Sequence, residues 1–204
     1  MLRDDNDVTR QHAAGALCAM TMTEEVSAAC VEAGALPTLV ALLRDGNAET
    51  KINACKAIRN ILFDNDNAND SIVALGALAP IVAMIEDGSG NGAEAAAGAL
   101  RNMIEKHRDE IVKAGCIPPL VAVLSAGSAQ AKVHAAVVLR NISVMVREHR
   151  ICIAKAGAIP PLIACLSDES DDIKHGAAAT LANLALNTPP RVAITLAGGV
   201  APLV

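Results

Sequence analysis

The sequence is nearly devoid of aromatic side chains, with one Phe and no Tyr or Trp among 204 residues. Hydrophobic residues still make up 52% of the chain, so alanine and other small apolar residues must fill the core. This composition favours helices that pack closely against each other. The longest uncharged run, 114–131, is long enough to raise the question of a membrane span, but Pro118-Pro119 and the segment SAGSAQ interrupt it. We therefore expect no membrane-spanning helix.

Several chemical signatures are absent as well. The six cysteines form no CxxC pair and no metal-ligand spacing, which favours a reducing cytoplasmic and/or nuclear location. The net charge of −5 gives no general attraction for nucleic acid or anionic lipid. No phosphate-binding glycine loop, nucleophile–base pair or metal cluster is recognisable, so we expect neither an enzyme nor a bound cofactor or metal.

The chain contains an apolar segment that recurs five times. The copies read EAGALPTLVALL (32–43), ALGALAPIVAMI (74–85), KAGCIPPLVAVL (113–124), KAGAIPPLIACL (155–166) and LAGGVAPLV (196–204). Their glycines are spaced by 42, 39, 42 and 41 residues. Such regular self-similarity is typical of a repeat protein.

A second motif recurs in register with the first. Its copies read AAGALCAM, ACKAIRNI, AAGALRNM, AAVVLRNI and AAATLANL. One of its positions, which we call the asparagine column, holds Ala19, Asn60, Asn102, Asn141 and Asn183. In the four complete copies the asparagine follows the glycine by 26 residues. The apolar letters around it recur at helical spacing, so this motif predicts the last helix of each repeat.

The prolines and the capping residue types predict where the helices begin. Proline follows the repeated glycine closely, as in Pro118-Pro119, and proline is tolerated only in the first turn of a helix. Thirteen residues before the asparagine column stand residue types that cap helix N-termini: Asn6, Asn47, Ser89, Ser128 and Ser170. Each repeat therefore reads as three helices, with a glycine–proline corner before the middle one.

These motifs resemble armadillo repeats, in which an Ala-Gly-Ala-Ile-Pro-Pro-Leu-Val helix precedes an Ala-Leu-Arg-Asn-Leu helix. The resemblance implies an all-α fold, a right-handed α-solenoid (superhelix) with three helices per repeat. We expect a single array over 1–204. It consists of a partial repeat 5–22, full repeats at about 23–64, 65–106, 107–145 and 146–187, and a truncated repeat 188–204. These incomplete ends favour a piece of a longer array, or end-to-end association through uncapped terminal repeats.

In armadillo proteins the last helices line a concave groove, and the asparagines bond the backbone of an extended peptide. The resemblance implies that role for Asn60, Asn102, Asn141 and Asn183. Helical geometry directs this column away from the core, and an amide both donates and accepts hydrogen bonds, as a peptide unit does. The alternative is that these asparagines bond only neighbouring turns of the protein.

Other side chains flank the asparagines. Arg59, Arg101 and Arg140 each precede one, where they either hold acidic ligand groups or bridge to acidic residues of a neighbouring repeat. Lys56, His134 and Val137 complete the expected peptide-binding set. Import adaptors of the importin-α type carry tryptophan four residues before the asparagine, and this chain has none, which disfavours nuclear-signal binding.

Three functional hypotheses follow from the resemblance. The first is a protein-interaction scaffold or adaptor whose partner contributes an extended segment. The second is the substrate-recruiting region of a larger U-box-type ubiquitin ligase. The third is a nuclear import adaptor, which the missing tryptophans make the weakest.

Overall fold

The computed structural model describes residues 6–63, 65–88 and 90–203. Fourteen α-helices and one short 3-10 helix make up all the regular structure in these ranges. The chain divides into two compact units, Met1–Met103 (unit 1) and Ile104–Val204 (unit 2). Each unit is described by itself below.

Unit 1 holds the partial repeat and two full repeats of three helices each. The partial repeat supplies α1 (Asp7–Met20). The first full repeat forms α2 (Glu24–Glu32), α3 (Ala35–Asp45) and α4 (Ala48–Leu62). The second forms α5 (Asp66–Ala74), α6 (Leu78–Glu86) and α7 (Gly90–Met103).

The core of unit 1 lies between its middle and last helices. Helix α4 packs against both α1 and α7, while α3 packs on α4 and α6 on α7. Leu39, Ile58 and Leu100 are among the largest fully buried side chains. The neighbouring small residues Ala54 and Ala97 are fully buried too. Small buried side chains let the last helices approach closely, as the composition predicted.

Unit 2 repeats the same plan. The third full repeat forms α8 (Arg108–Lys113), α9 (Ile117–Ala126) and α10 (Ala129–Ser143). The fourth forms α11 (Arg147–Lys155), α12 (Ile159–Cys165) and α13 (Asp171–Ala185). They are followed by α14 (Thr188–Leu196) and the 3-10 helix Ala201–Leu203.

The last helices of unit 2, α10 and α13, pack on each other at very short range. A Cβ added to Gly176 of α13 would lie 2.8 Å from the Cβ of Ala136 in α10, closer than two such atoms can approach. Glycine is therefore required at this crossing. Because the neighbouring Ala135 and Ala177 are also fully buried, small side chains set the helix separation here as well.

The local signals predicted from sequence are confirmed at the helix starts. The corner glycines Gly115 and Gly157 have left-handed backbones, with φ of 86° and 79°, and prolines follow in the first turns of α9 and α12. The capping side chains accept a backbone N–H at Asn6, Asn47, Ser128 and Ser170. The remaining predicted cap, Ser89, lies outside the described residues.

The glycine-rich segment before α7 behaves differently from one of our expectations. Three glycines, Gly88, Gly90 and Gly92, predict a helix that frays at its start or begins later than in the other repeats. The later start is wrong, because α7 begins at Gly90, the position equivalent to Ala48 in α4 and Ala129 in α10. Packing of its alanine-rich face fixes the register despite the weak propensity. Fraying of this turn stays a prediction.

No single helix in the described ranges is long and apolar enough to span a membrane. Two consecutive pairs, α2 with α3 and α5 with α6, reach that length and apolarity only jointly. The helices of these pairs are bent by 89° and 85°.

Four of the six cysteines, Cys30, Cys55, Cys116 and Cys165, are buried and act as small apolar side chains of the core. Burial raises the pKa of the Cys55 and Cys116 thiols to about 12. The thiolate, which is the reactive form, is therefore strongly disfavoured at both. Cys152 by contrast is exposed.

Leu100→Ala tests the buried face of α7. It removes a fully buried side chain and should lower the free energy of unfolding by about 2–5 kcal/mol. The same change at the exposed Leu196 should alter it by less than about 0.5 kcal/mol. Urea unfolding of both variants measures the difference, and wild-type stability of Leu100→Ala would contradict the assigned core.

The start of α7 can be strengthened by one methyl group. A Cβ at Gly90 would meet no atom within 4 Å, so Gly90→Ala should raise the free energy of unfolding by about 0.4–1 kcal/mol. The control Gly88→Ala should lower it, because Gly88 has a left-handed φ of 67°. In wild type, amide exchange should be faster in the first turn of α7 than in that of α10. Equal rates would rule out fraying.

Thiol labelling tests the burial of the cysteines. In the native protein iodoacetamide should modify Cys152 and leave Cys55 and Cys116 intact, whereas in urea all three should react. Peptide mass spectrometry reports the modified sites. Native labelling of Cys55 as fast as that of Cys152 would show that the last helices are not closely packed.

Candidate functional site

The asparagine column lies in the C-terminal part of the last helices. Asn60, Asn102, Asn141 and Asn183 belong to α4, α7, α10 and α13, and each of them is half-buried. Their partial exposure agrees with the helical geometry, which turns this column away from the apolar face of its own helix.

Within unit 1 the asparagine amides join neighbouring last helices. Nδ2 of Asn60 donates to the Cys18 carbonyl at 3.3 Å and to Oγ1 of Thr21 at 3.4 Å, both at the end of α1. Nδ2 of Asn102 donates to the Arg59 carbonyl of α4 at 2.9 Å. Each amide therefore ties its helix to the last helix of the preceding repeat.

The same link occurs in unit 2. Nδ2 of Asn183 donates to Oγ of Ser143 at 2.9 Å, and Ser143 is the final residue of α10. That hydroxyl in turn donates to the Arg140 carbonyl at 2.7 Å. Within residues 104–203, Asn141 makes no side-chain hydrogen bond.

These bonds reduce the number of hydrogen-bond donors and acceptors that the amides can offer a ligand. In Asn102 one N–H is used inside unit 1, and its Oδ1 accepts no hydrogen bond from a described residue of that unit. In Asn60 both N–H groups have partners, and Oδ1 lies 3.5 Å from Nη2 of Arg59. The bonds to neighbouring helices that the sequence left as an alternative are therefore observed at Asn60, Asn102 and Asn183, and the binding of a peptide backbone stays a prediction.

The arginines lie beside this column. Arg59 and Arg140 are half-buried and Arg101 is exposed. Among the described residues of its own unit, neither Arg59 nor Arg140 has an acidic partner, so the predicted bridge to a neighbouring repeat is not observed for these two. Their positive charges therefore remain uncompensated by an ion pair within the unit.

The other three residues of the expected set differ in accessibility. Lys56 and Val137, four residues before their asparagines, are half-buried. His134 is only 8% exposed, and its Nε2 lies 3.4 Å from Nε2 of Gln130. Gly176 occupies the same position in α13, seven residues before its asparagine. It is also buried, because α10 covers it. We therefore leave His134 out of the proposed binding surface.

Unit 1 contains a cavity that is separate from the asparagine column. It has a volume of about 410 Å³ and lies between α3, the start of α4 and α6. Leu43, Ile52 and Met84 give it an apolar floor, and Lys51 and Asp87 lie at its edge. No residue of the asparagine column lines it. Among the described residues, no group of three or more His, Cys, Asp or Glu side chains could hold a metal ion.

The sequence profile of the armadillo/beta-catenin-like repeat matches residues 23–63, 104–144 and 147–186, which is more than half of the chain. Among curated proteins, none matches the sequence significantly.

Solved structures of designed armadillo proteins resemble this chain over nearly its whole length. One, described as computationally designed for modular peptide recognition, is 29% identical with a TM-score of 0.88, and the match covers 99% of this chain and 87% of that one. Another, a designed armadillo repeat protein in complex with the peptide (KR)4, is 28% identical with a TM-score of 0.82 and the same coverage. The predicted all-α armadillo solenoid is confirmed, and the chain belongs to the armadillo/beta-catenin-like repeat family.

Proposed function

We propose that this chain is a non-catalytic protein-interaction scaffold that binds an extended segment of a partner protein along its asparagine column. One observation carries the proposal. Asparagines at equivalent positions of consecutive last helices are half-buried, and the amide of Asn102 keeps an acceptor and a second N–H for a ligand. A peptide backbone has the matching donor and acceptor in every residue.

The spacing of the column suits an extended chain. Packed helices lie about 8–10 Å apart, and an extended chain advances about 3.3–3.6 Å per residue. One repeat therefore corresponds to about three residues of the ligand. An extended peptide would meet Asn60 and Asn102 in unit 1, or Asn141 and Asn183 in unit 2, with equivalent backbone groups.

The similar designed proteins support this function by analogy. One was designed for modular peptide recognition, and another was solved with a bound peptide. The family resemblance also favours a binding role over catalysis, and the buried thiols with raised pKa values are poor nucleophiles.

Replacing the asparagines in pairs tests the proposal. A short peptide selected on the wild-type protein from a random displayed library serves as the probe. Asn60→Ala with Asn102→Ala, or Asn141→Ala with Asn183→Ala, removes two ligand bonds of about 0.5–1.5 kcal/mol each. Affinity measured by fluorescence anisotropy should fall about ten- to a hundredfold.

A matched control and a stability measurement separate binding from folding. Asn67→Ala with Asn91→Ala removes two exposed asparagines outside the column and should leave affinity unchanged. Asn102→Ala should also lower the free energy of unfolding by about 1 kcal/mol, because it removes the bond to the Arg59 carbonyl. Loss of stability with undiminished affinity in both pairs would show that the asparagines serve only the fold.

A further inference from the structure

Exposed apolar side chains are concentrated at one place in the repeat. Among the described residues, ten large hydrophobic side chains are exposed, and six of them lie at the C-terminal ends of last helices: Met20, Met22, Phe63, Val144, Met145 and Leu186. Four of these six stand three residues after the asparagine column. We call this position the apolar edge column, which holds Met22, Phe63, Glu105, Val144 and Leu186.

The exposure of this column is large. Met22 is 78% exposed, Phe63 68%, Val144 46% and Leu186 67%. Elsewhere the core of this protein is filled mainly by alanine, leucine and isoleucine, and these four side chains are not part of it. Leaving large apolar area in water forgoes about 25 cal/mol per Å² of burial. Recurrence at one register position therefore points to a surface that a ligand covers.

The amide links place this column beside the asparagines in each unit. In unit 1 Asn60 bonds to Cys18 and Thr21, next to Met22, and Phe63 follows Asn60 by three residues. In unit 2 Asn183 bonds to Ser143, next to Val144, and Leu186 again follows by three. Each unit therefore presents two apolar side chains on either side of one asparagine link.

The apolar edge column also shares a helix face with cations. Phe63 follows Arg59 by four residues and Lys56 by seven, and residues at these spacings lie on one side of a helix. Val144 follows Arg140 by four residues in the same way. The chain has a net charge of −5, yet positions −4, −1 and +3 from the asparagine hold four cations and a single acid, Glu105. This face is complementary to an acidic and apolar ligand.

We propose that the apolar edge column selects the partner: an extended acidic segment with a large apolar side chain about every third residue. The proposal rests on the proposed function, since the asparagines hold the backbone of the same segment. The segment's apolar side chains cover Met22 and Phe63 in unit 1, or Val144 and Leu186 in unit 2. Its carboxylates lie against Lys56 and Arg59 in unit 1, or against Arg140 in unit 2.

A basic segment is excluded by the same chemistry. The similar designed protein was solved with the peptide (KR)4, whose side chains are all cationic. On this chain such a peptide would meet like charge at Lys56 and Arg59 in unit 1, or at Arg140 in unit 2, and would leave the apolar edge column uncovered. Specificity of this kind combines attraction for one ligand class with repulsion of another.

Peptide selection on two versions of the whole chain tests this proposal. The variant carries Phe63→Ser, Val144→Ser and Leu186→Ser at exposed positions, where substitution should leave the fold intact. On wild type, a random displayed library should yield peptides enriched in Asp and Glu, with Leu, Ile, Met, Val or Phe about three residues apart. On the variant the acidic enrichment should persist and the apolar enrichment should disappear. Affinity for a wild-type-selected peptide should fall about tenfold.

The matched control is a second triple variant at exposed apolar positions outside the column, Val8→Ser, Val192→Ser and Leu196→Ser. It should bind like wild type. Wild-type affinity of the Phe63, Val144 and Leu186 variant would overturn the proposal, and the proposed function would stand if the asparagine pairs still weaken binding. If neither the asparagine pairs nor the Phe63, Val144 and Leu186 variant lost affinity, both the peptide selectivity and the proposed function would be overturned. The same holds if the library yields no peptide at all.

One further outcome assigns the surface to another occupant. If wild type self-associates in sedimentation velocity and the triple variant is monomeric, the apolar edge column is a contact between two copies of the chain, and the proposed peptide selectivity is wrong. A monomeric wild type with the selection described above supports it.

Discussion

Within each unit, the close approach of one last helix to the last helix before it is the contact on which the rest of the unit depends. Small side chains make it possible: Gly176 faces Ala136 in unit 2, and the small residues Ala54 of α4 and Ala97 of α7 are fully buried in unit 1. At this distance an asparagine amide reaches across to the neighbouring helix, as Asn102 reaches the Arg59 carbonyl. The small side chains therefore set the helix spacing, and this spacing lets the asparagine amides bridge neighbouring last helices.

In the proposed function the same amide serves both the fold and the ligand. An asparagine that bonds a neighbouring helix has a fixed side-chain conformation before any ligand arrives, which lowers the entropy lost on binding. The same bond occupies a donor of the amide. Nδ2 of Asn60 has two acceptors and that of Asn102 has one, so Asn60 offers a peptide fewer hydrogen bonds than Asn102. Equivalent positions in a repeat protein are therefore not energetically equivalent, even where the residue is the same.

Much of the fold was predictable because its signals are local. A glycine with left-handed backbone at Gly115, prolines in the first turn of α9 and a capping side chain at Ser128 each act within a few residues, and all appear where the sequence places them. The start of α7 was harder to predict. Glycine propensity argued for a late start, but packing of the alanine face decided it.

The site was less predictable because it depends on the neighbouring repeat. On an isolated helix the position of His134 faces outward, whereas in unit 2 the adjacent last helix covers the equivalent Gly176, and His134 itself is buried. The direction of the asparagine N–H groups likewise depends on where the preceding helix ends. Exposure of Phe63 and Leu186 could not be read from a chain in which half the residues are hydrophobic.

The central claim is that the asparagine column holds the backbone of an extended peptide. A crystal structure of the protein with a selected peptide bound tests it most directly. The account predicts an extended peptide whose backbone N–H lies within hydrogen-bonding distance of Oδ1 of Asn102 or of Asn183, at about 2.7–3.2 Å. A peptide bound in the cavity between α3 and α6, or in helical form without contact to these asparagines, would contradict it.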